Sequence, residues 1–238
     1  MTLGIVARCA VTGHLGAALV GDVVGIGQYT DVIRSGVGAV LVQGRFDSAL
    51  VHLGLNLLEQ GLAPRAVLDE LLLQEDASQR QMAVIDAAGG CAVHCGAGCR
   101  GASSVLKGEG WAVLGENLGN DASARAVAQA FAAASGALDE RLMTALEAAR
   151  STEAPARAGH EGSAAVILYG SARGCAAQLF LRNDLAPDPV GELRLIFDEY
   201  KAVEPLYAMR VSDPSAALTP AQIDAAAKLA AARKAAAA

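Results

Sequence analysis

The sequence contains few of the features that would point directly to a partner. Its 238 residues carry 19 Lys and Arg against 25 Asp and Glu, and the first lysine is Lys107. Because a nucleic-acid-binding surface is normally basic, we expect no nucleic-acid partner. No apolar run approaches the roughly 20 residues that a membrane helix needs. We therefore expect no membrane partner either.

A secretory signal is also missing from the sequence. The first 13 residues have no basic start, and Arg8 interrupts their apolar stretch. The five cysteines are an odd number, and without an export signal the default is reduced thiols in a reducing compartment. We expect a cytoplasmic protein.

Aromatic and charged residues are scarce, at 4% and 18% of the chain, whereas hydrophobic residues make up 53%. Disordered chains show the opposite balance, with low hydrophobicity and high charge. The hydrophobic residues are dominated by alanine, which suits closely packed layers of helices and sheets. The composition therefore favours a globular protein with both helices and strands.

Hydrophobic periodicity divides the chain into short strands and amphipathic helices. Strands are predicted at 2–9, 15–20, 37–44, 81–87, 91–95, 111–117, 163–169 and 175–181. Helices are predicted at 48–61, 64–74, 122–135, 138–150, 187–200 and 219–238.

The order of these elements determines the predicted fold. Antiparallel hairpins alternate with pairs of helices, which is not the order of a doubly wound parallel sheet. Two antiparallel sheets stacked face to face, with helix pairs outside, use every element. We predict an α+β fold, a four-layer α-β-β-α sandwich over residues 1–212. Residues 213–238 are predicted to form an Ala-rich C-terminal helical extension, and its segment from Ala225 onward is expected to contribute little to the core.

Three cysteines with a histidine between them resemble a metal site. Cys91, Cys95 and Cys99 are spaced as C-x3-C-x3-C around His94. In a strand, Cys91 and Cys95 would lie roughly 13 Å apart, too far to share a zinc ion at about 2.3 Å per bond. We expect no metal, no cofactor and no disulfide here, with the side chains of Cys95 and Cys99 pointing apart. A structural zinc site is the alternative.

The N-terminus offers a different kind of chemistry. Thr2 is small enough that removal of Met1 is expected, and Thr2 would then begin a β-strand. Its hydroxyl would lie beside a free α-amine with an ordinary pKa near 7.7–8.0. One residue would then carry both a nucleophile and a base.

Several segments in order resemble one bacterial family over roughly residues 1–196. The matching segments are Thr2, IVAR at 5–8, RSGVGAVLVQ at 34–43, GLNLLEQGL at 54–62, RQMAVIDAAG at 80–89 and GEGWAVLGEN at 108–117. The chain is similar to an uncharacterised family assigned to the N-terminal-nucleophile (Ntn) hydrolase superfamily. This resemblance implies the α-β-β-α sandwich and Thr2 as the nucleophile.

The chain departs from that family at polar positions near the expected site. Members usually have a serine at the fourth position, a lysine at the position of Asp22, and Gln-Gly-Asn where this chain has Leu114-Gly115-Glu116. A lysine or an amide can stabilise an oxyanion, so we expect weak activity or none.

Thr2, Arg8, Asp22, Glu116 and Asn117 are the candidate catalytic residues, with Arg34 and Gln43 as further polar neighbours. Arg8 shares a strand face with Thr2 and is the cation nominated to replace the lysine.

Three classes of function remain open. The first is an Ntn-type hydrolase that cleaves an amide bond in an unidentified small molecule. The second is a non-catalytic relative that binds a small molecule or a protein. The third is a metal or redox protein that uses the three clustered cysteines. A homodimer is expected for a sheet protein with few charges and an Ala-rich surface.

Overall fold

The computed structural model describes residues 1–152, 161–175 and 177–212, together with residues 219, 221–225 and 228. The chain forms two compact units, Met1–Gly191 and Glu192–Ala238. The domain boundary expected at residue 212 stays a prediction. The expectation that the alanine-rich tail contributes little to the core falls almost entirely outside the described residues.

The first unit contains an antiparallel six-stranded sheet. Its strands are β1 (Thr2–Arg8), β2 (Leu15–Gly21), β7 (Ala102–Gly108), β8 (Trp111–Leu118), β9 (Gly162–Tyr169) and β10 (Ala177–Ala186). The spatial order is β10-β9-β2-β1-β8-β7. The N-terminal strand therefore lies inside the sheet, between β2 and β8.

A second antiparallel sheet has four strands in the order in which they follow one another along the chain. They are β3 (Ile33–Arg34), β4 (Gly38–Gly44), β5 (Arg80–Asp86) and β6 (Cys91–Cys95). Strand β1 of the first sheet packs against β4 and β5 of the second. The inner faces of the two sheets form the core.

Helix pairs cover the outer faces of both sheets. Helices α1 (Ser48–Glu59) and α2 (Pro64–Leu72) pack on β4, β5 and β6, while α3 (Ala122–Ala133) and α4 (Leu138–Thr152) pack on β2, β7, β8 and β9. Helix α5 spans Pro189–Ser212, and short 3₁₀ helices span Ile26–Thr30 and Ala77–Gln79. The predicted α+β sandwich of two antiparallel sheets flanked by helices is confirmed.

The sequence of β1 explains its central position. Leu3 and Ile5 point to one face and Gly4 and Val6 to the other, and all four are buried. A strand that is apolar on both faces must be covered on both sides. Among the described residues, no helix has the length and apolarity needed to cross a membrane.

Candidate functional site

Thr2 lies at the start of the interior strand, facing the second sheet. Its register partners are Gly21 on β2 and Glu116 on β8. A Cβ placed on Gly21 would lie 3.5 Å from the Thr2 hydroxyl oxygen and 2.9 Å from Ile26. The glycine thus leaves the Thr2 side chain space that a larger residue would fill.

A pocket of about 170 Å³ opens beside Thr2, between the two sheets. Its polar side chains belong to Thr2, Gln43 and Glu116. Its other lining residues are mostly apolar: Leu19, Val23, Ile26, Tyr29, Val42, Gly44 and Phe46. None of the described lining residues carries a basic side chain. The pocket is therefore largely apolar, with one carboxylate, one carboxamide, the Thr2 hydroxyl and, on the otherwise apolar Tyr29, a phenol.

The segment that follows β2 forms the wall of the pocket that neither sheet supplies. The rings of Tyr29 and Phe46 meet edge to face, with their centroids 4.6 Å apart. Ser163 accepts a hydrogen bond from the Ile26 N–H at 2.8 Å and donates one to the Val23 carbonyl at 2.5 Å. Because Ser163 is fully buried, these bonds fix the segment to β9.

Gln43 is the unusual residue of the pocket. Only 4% of it is exposed, and neither its Oε1 nor its Nε2 has a hydrogen-bond partner among the described residues. A Cβ placed on Gly4 would lie 2.4 Å from the Gln43 Nε2, so the amide occupies the space above this glycine. Buried polar groups are nearly always paired, so this amide needs a particular explanation.

Gln81, its register neighbour on β5, provides a contrast. Gln81 is fully buried, but its Nε2 donates to the Gly115 carbonyl at 2.8 Å and the Ser104 carbonyl at 3.3 Å, and lies 3.5 Å from the Cys95 sulfur. Gln81 thereby ties the second sheet to the first. Two adjacent glutamines on one face therefore have different roles, one structural and one without a partner.

Besides Gln43, which was predicted as a polar neighbour, two of the candidate catalytic residues lie close to Thr2. The Glu116 carboxylate lines the pocket and accepts a hydrogen bond at 3.3 Å from the backbone N–H of Arg100. The half-exposed Asp22 carboxylate pairs with the α-ammonium of Met1 and is not a lining residue. The site therefore has negative charge where the resemblance predicts a lysine.

The structure does not bring the other candidates into the pocket. Arg8 lies six residues along β1 from Thr2, or about 20 Å in an extended strand, beside Gly13, Gly89 and Gly110. Sharing a strand face therefore does not make Arg8 a neighbour of Thr2.

Asn117 and Arg34 also lie outside the pocket lining. Asn117 is exposed, has a positive φ of 54° and packs against Gly101. Arg34 donates to Asn56 and to Glu59 on α1.

The clustered cysteines are free thiols in the structure, as are Cys9 and Cys175. Burial raises the pKa of Cys91 to about 11. Burial also raises the pKa of Cys99 to about 11, with a further contribution from the adjacent Cys95 thiol, which hydrogen-bonds to it. The two thiols are therefore neighbours, and the expectation that they point apart is wrong. Within the described ranges, no group of three or more His, Cys, Asp or Glu residues could hold a metal ion.

Sequence reasoning missed Gln81, Ser163, Tyr29 and Phe46. Each is distant in sequence from Thr2, and its role depends on how the layers stack. The available signal for a buried polar residue was a glutamine within an otherwise apolar strand segment, as at Gln43 in β4 and Gln81 in β5.

Comparison with known proteins gives a consistent result. A family model, described as a family of unknown function (DUF1028), matches residues 2–193. The crystal structure of protein SPO2555 from Silicibacter pomeroyi, also assigned to the DUF1028 family model, is similar at 25% identity with a TM-score of 0.72. The similarity covers 84% of this chain and 88% of that chain. No curated protein matches the chain.

Proposed function

This chain belongs to the DUF1028 family of unknown function, and we propose that it is an Ntn-type hydrolase that cleaves an amide bond in a small molecule. The observation that carries the proposal is the position of Thr2. Its side chain lines a pocket between the sheets, at the start of the strand in the middle of the larger sheet. A hydroxyl there can reach a bound molecule, and its own residue can supply the base.

The reaction requires that Met1 be removed. The Thr2 hydroxyl oxygen then attacks the carbonyl carbon of the amide while its proton passes to the Thr2 α-amine. When the C–N bond breaks, this proton leaves with the amine product, and the acyl group stays on Thr2 as an ester. Water hydrolyses the ester, again with the α-amine as base, and releases a carboxylic acid.

The hydrogen-bonding pattern indicates where the freed amine would point. The Asp22 N–H donates to the Met1 carbonyl at 3.1 Å, so residue 1 pairs toward β2. Neighbouring residues of a strand bond to opposite sides. The Thr2 nitrogen is therefore directed toward β8 and Glu116, on the side of the pocket.

The same geometry supports low activity. The lining residues include no cation, and Leu114, at a position where the resembling family has a glutamine, is fully buried in the core. Loss of one oxyanion stabiliser typically costs about 2.7–4 kcal/mol, or a hundred- to a thousand-fold in rate. We therefore expect slow turnover.

Intact mass and amide hydrolysis test the proposal together. The purified chain should lack the mass of one methionine and should slowly release amine from a panel of small amides. Thr2→Ala should abolish this release, whereas Thr2→Ser should retain part of it. Arg8→Ala is the matched control, since Arg8 lies far along the strand, and it should leave turnover unchanged.

A non-catalytic binding protein is the second candidate. In that protein Met1 is retained, its α-ammonium pairs with Asp22, and Thr2 has no free amine. A purified chain that keeps Met1 would replace the hydrolase with this alternative. Turnover that survives Thr2→Ala would remove Thr2 as the nucleophile.

A further inference from the structure

We propose that the pocket beside Thr2 selects an uncharged carboxamide bearing a short branched apolar group, that Gln43 is the residue that recognises it, and that carboxylates are rejected. The inference rests on the proposed function, because it names the class of substrate for the same pocket. It adds a specificity-determining residue whose side chain neither attacks the amide nor accepts its proton.

The hydrogen-bonding capacity of Gln43 defines the polar part of the ligand. Its carboxamide offers one acceptor oxygen and two N–H donors, all on a side chain with 4% exposure and no partner for either heavy atom among the described residues. A ligand that satisfies it must present both a donor and an acceptor. A carboxamide does so in one planar group, with its N–H facing the Gln43 Oε1 and its carbonyl facing the Gln43 Nε2.

Charge determines what the pocket excludes. The ionisable side chain in the lining is the Glu116 carboxylate, and the Asp22 carboxylate lies nearby beside Met1. An anionic ligand would lose its hydration without gaining a cationic side chain from the described lining. It would also have no hydrogen to offer the Gln43 Oε1. A positively charged Thr2 α-amine could attract an anionic ligand, but this amine must be uncharged to act as the base in the proposed reaction.

The walls define the size and polarity of the rest of the ligand. Leu19, Ile26, Val42 and the Tyr29–Phe46 pair surround a volume of about 170 Å³. That volume has room for several waters and suits an amide with four or five carbons. The adjacent Val23 and Val24 are 41% and 66% exposed, so the surface near the opening is apolar as well.

Calorimetric titration with two matched probes tests the proposal. 3-Methylbutanamide and 3-methylbutanoate, with five carbons each, have the same shape and differ in the polar group. The titrations use the full chain carrying Thr2→Ala, which cannot turn the amide over. The amide should bind about tenfold more tightly than the carboxylate or better, as expected for paired against unpaired buried polar groups.

A second substitution assigns the preference to Gln43. Gln43→Met, added to Thr2→Ala, should keep the chain folded by circular dichroism and remove the preference for the amide. The control is Gln28→Met, the same substitution at an exposed residue outside the lining, and it should preserve the preference.

Each outcome decides the proposal independently of hydrolysis. Equal binding of the two probes, tighter binding of the carboxylate, or no amide binding at millimolar concentration overturns it, even if Thr2-dependent hydrolysis is found. A preference for the amide that Gln43→Met removes supports it, even if the chain retains Met1 and hydrolyses nothing.

Discussion

The two adjacent glutamines in the core should respond in opposite directions to the same substitution. Gln43 on β4 and Gln81 on β5 are register partners whose side chains lie on the same face of the sheet, and both are almost fully buried. Methionine has nearly the shape of glutamine without its hydrogen-bonding groups. We expect Gln43→Met to raise the free energy of unfolding and Gln81→Met to lower it.

The hydrogen bonds of each residue determine the size of the effect. A buried donor or acceptor without a partner costs about 1–3 kcal/mol, and replacing it with an apolar group of the same shape removes that cost. Both polar atoms of the Gln43 side chain are buried and have no partner among the described residues, so we expect a gain of about 1–2 kcal/mol. Gln81→Met leaves the Gly115 and Ser104 carbonyls without their donor. This outweighs the removal of the Gln81 Oε1, which has no partner among the described residues, and we expect a net loss of about 1–2 kcal/mol.

Urea denaturation of the purified variants measures both changes. The midpoint should rise for Gln43→Met and fall for Gln81→Met, with unchanged slopes, since neither substitution alters the surface exposed on unfolding. A Gln43→Met variant that loses as much stability as Gln81→Met would refute the reasoning. It would show that the Gln43 amide is hydrogen-bonded in solution as fully as that of Gln81.

Two further predictions concern the second sheet. Gly96→Ala places a Cβ 2.2 Å from the Ser78 carbonyl oxygen, so backbone must move. We expect a loss of about 1–3 kcal/mol, measured by thermal unfolding, whereas Gly119→Ala, with nothing within 4 Å of the added carbon, should change little. Because burial raises the pKa of Cys91 to about 11, the folded chain holds this proton more tightly than the unfolded chain does. Stability should therefore fall as the pH rises from about 8.5 to 11, and an unchanged slope in Cys91→Ala would contradict this.

Local pattern was sufficient to predict most of the fold. β1 and β2 were predicted because they are apolar segments joined by a short turn, and α1 because its leucines recur with helical period. The strand β7 was not predicted, because Val105 and Leu106 are its only large apolar residues and its surroundings at the sheet edge leave it half-buried. The two-residue β3 is too short for any period to show.

The candidate site could be predicted only in part. Thr2 and Glu116 came from the chain start and from the resemblance, and both line the pocket. Arg8 was nominated from the alternation of strand faces, which specifies a face but not a position along the strand. The meeting of Gln43 with Gly4 depends on how one sheet is placed over the other. No period in the sequence encodes that placement, because it results from packing of the whole core.

The unpaired amide and the departure at the fourth residue have a common physical basis. The resemblance implies a serine in the family where this chain has Gly4, and a side chain there would begin 2.4 Å from the Gln43 Nε2. A serine would force the amide aside and give it a hydroxyl as a neighbour. With glycine, the amide can lie directly above the strand with both its polar atoms unpaired. The absence of a serine hydroxyl at residue 4 thus removes a polar group from β1 and leaves the Gln43 amide on β4 without a partner. If the amide serves a ligand, the substitution changes what the pocket recognises without disturbing the sheets around it.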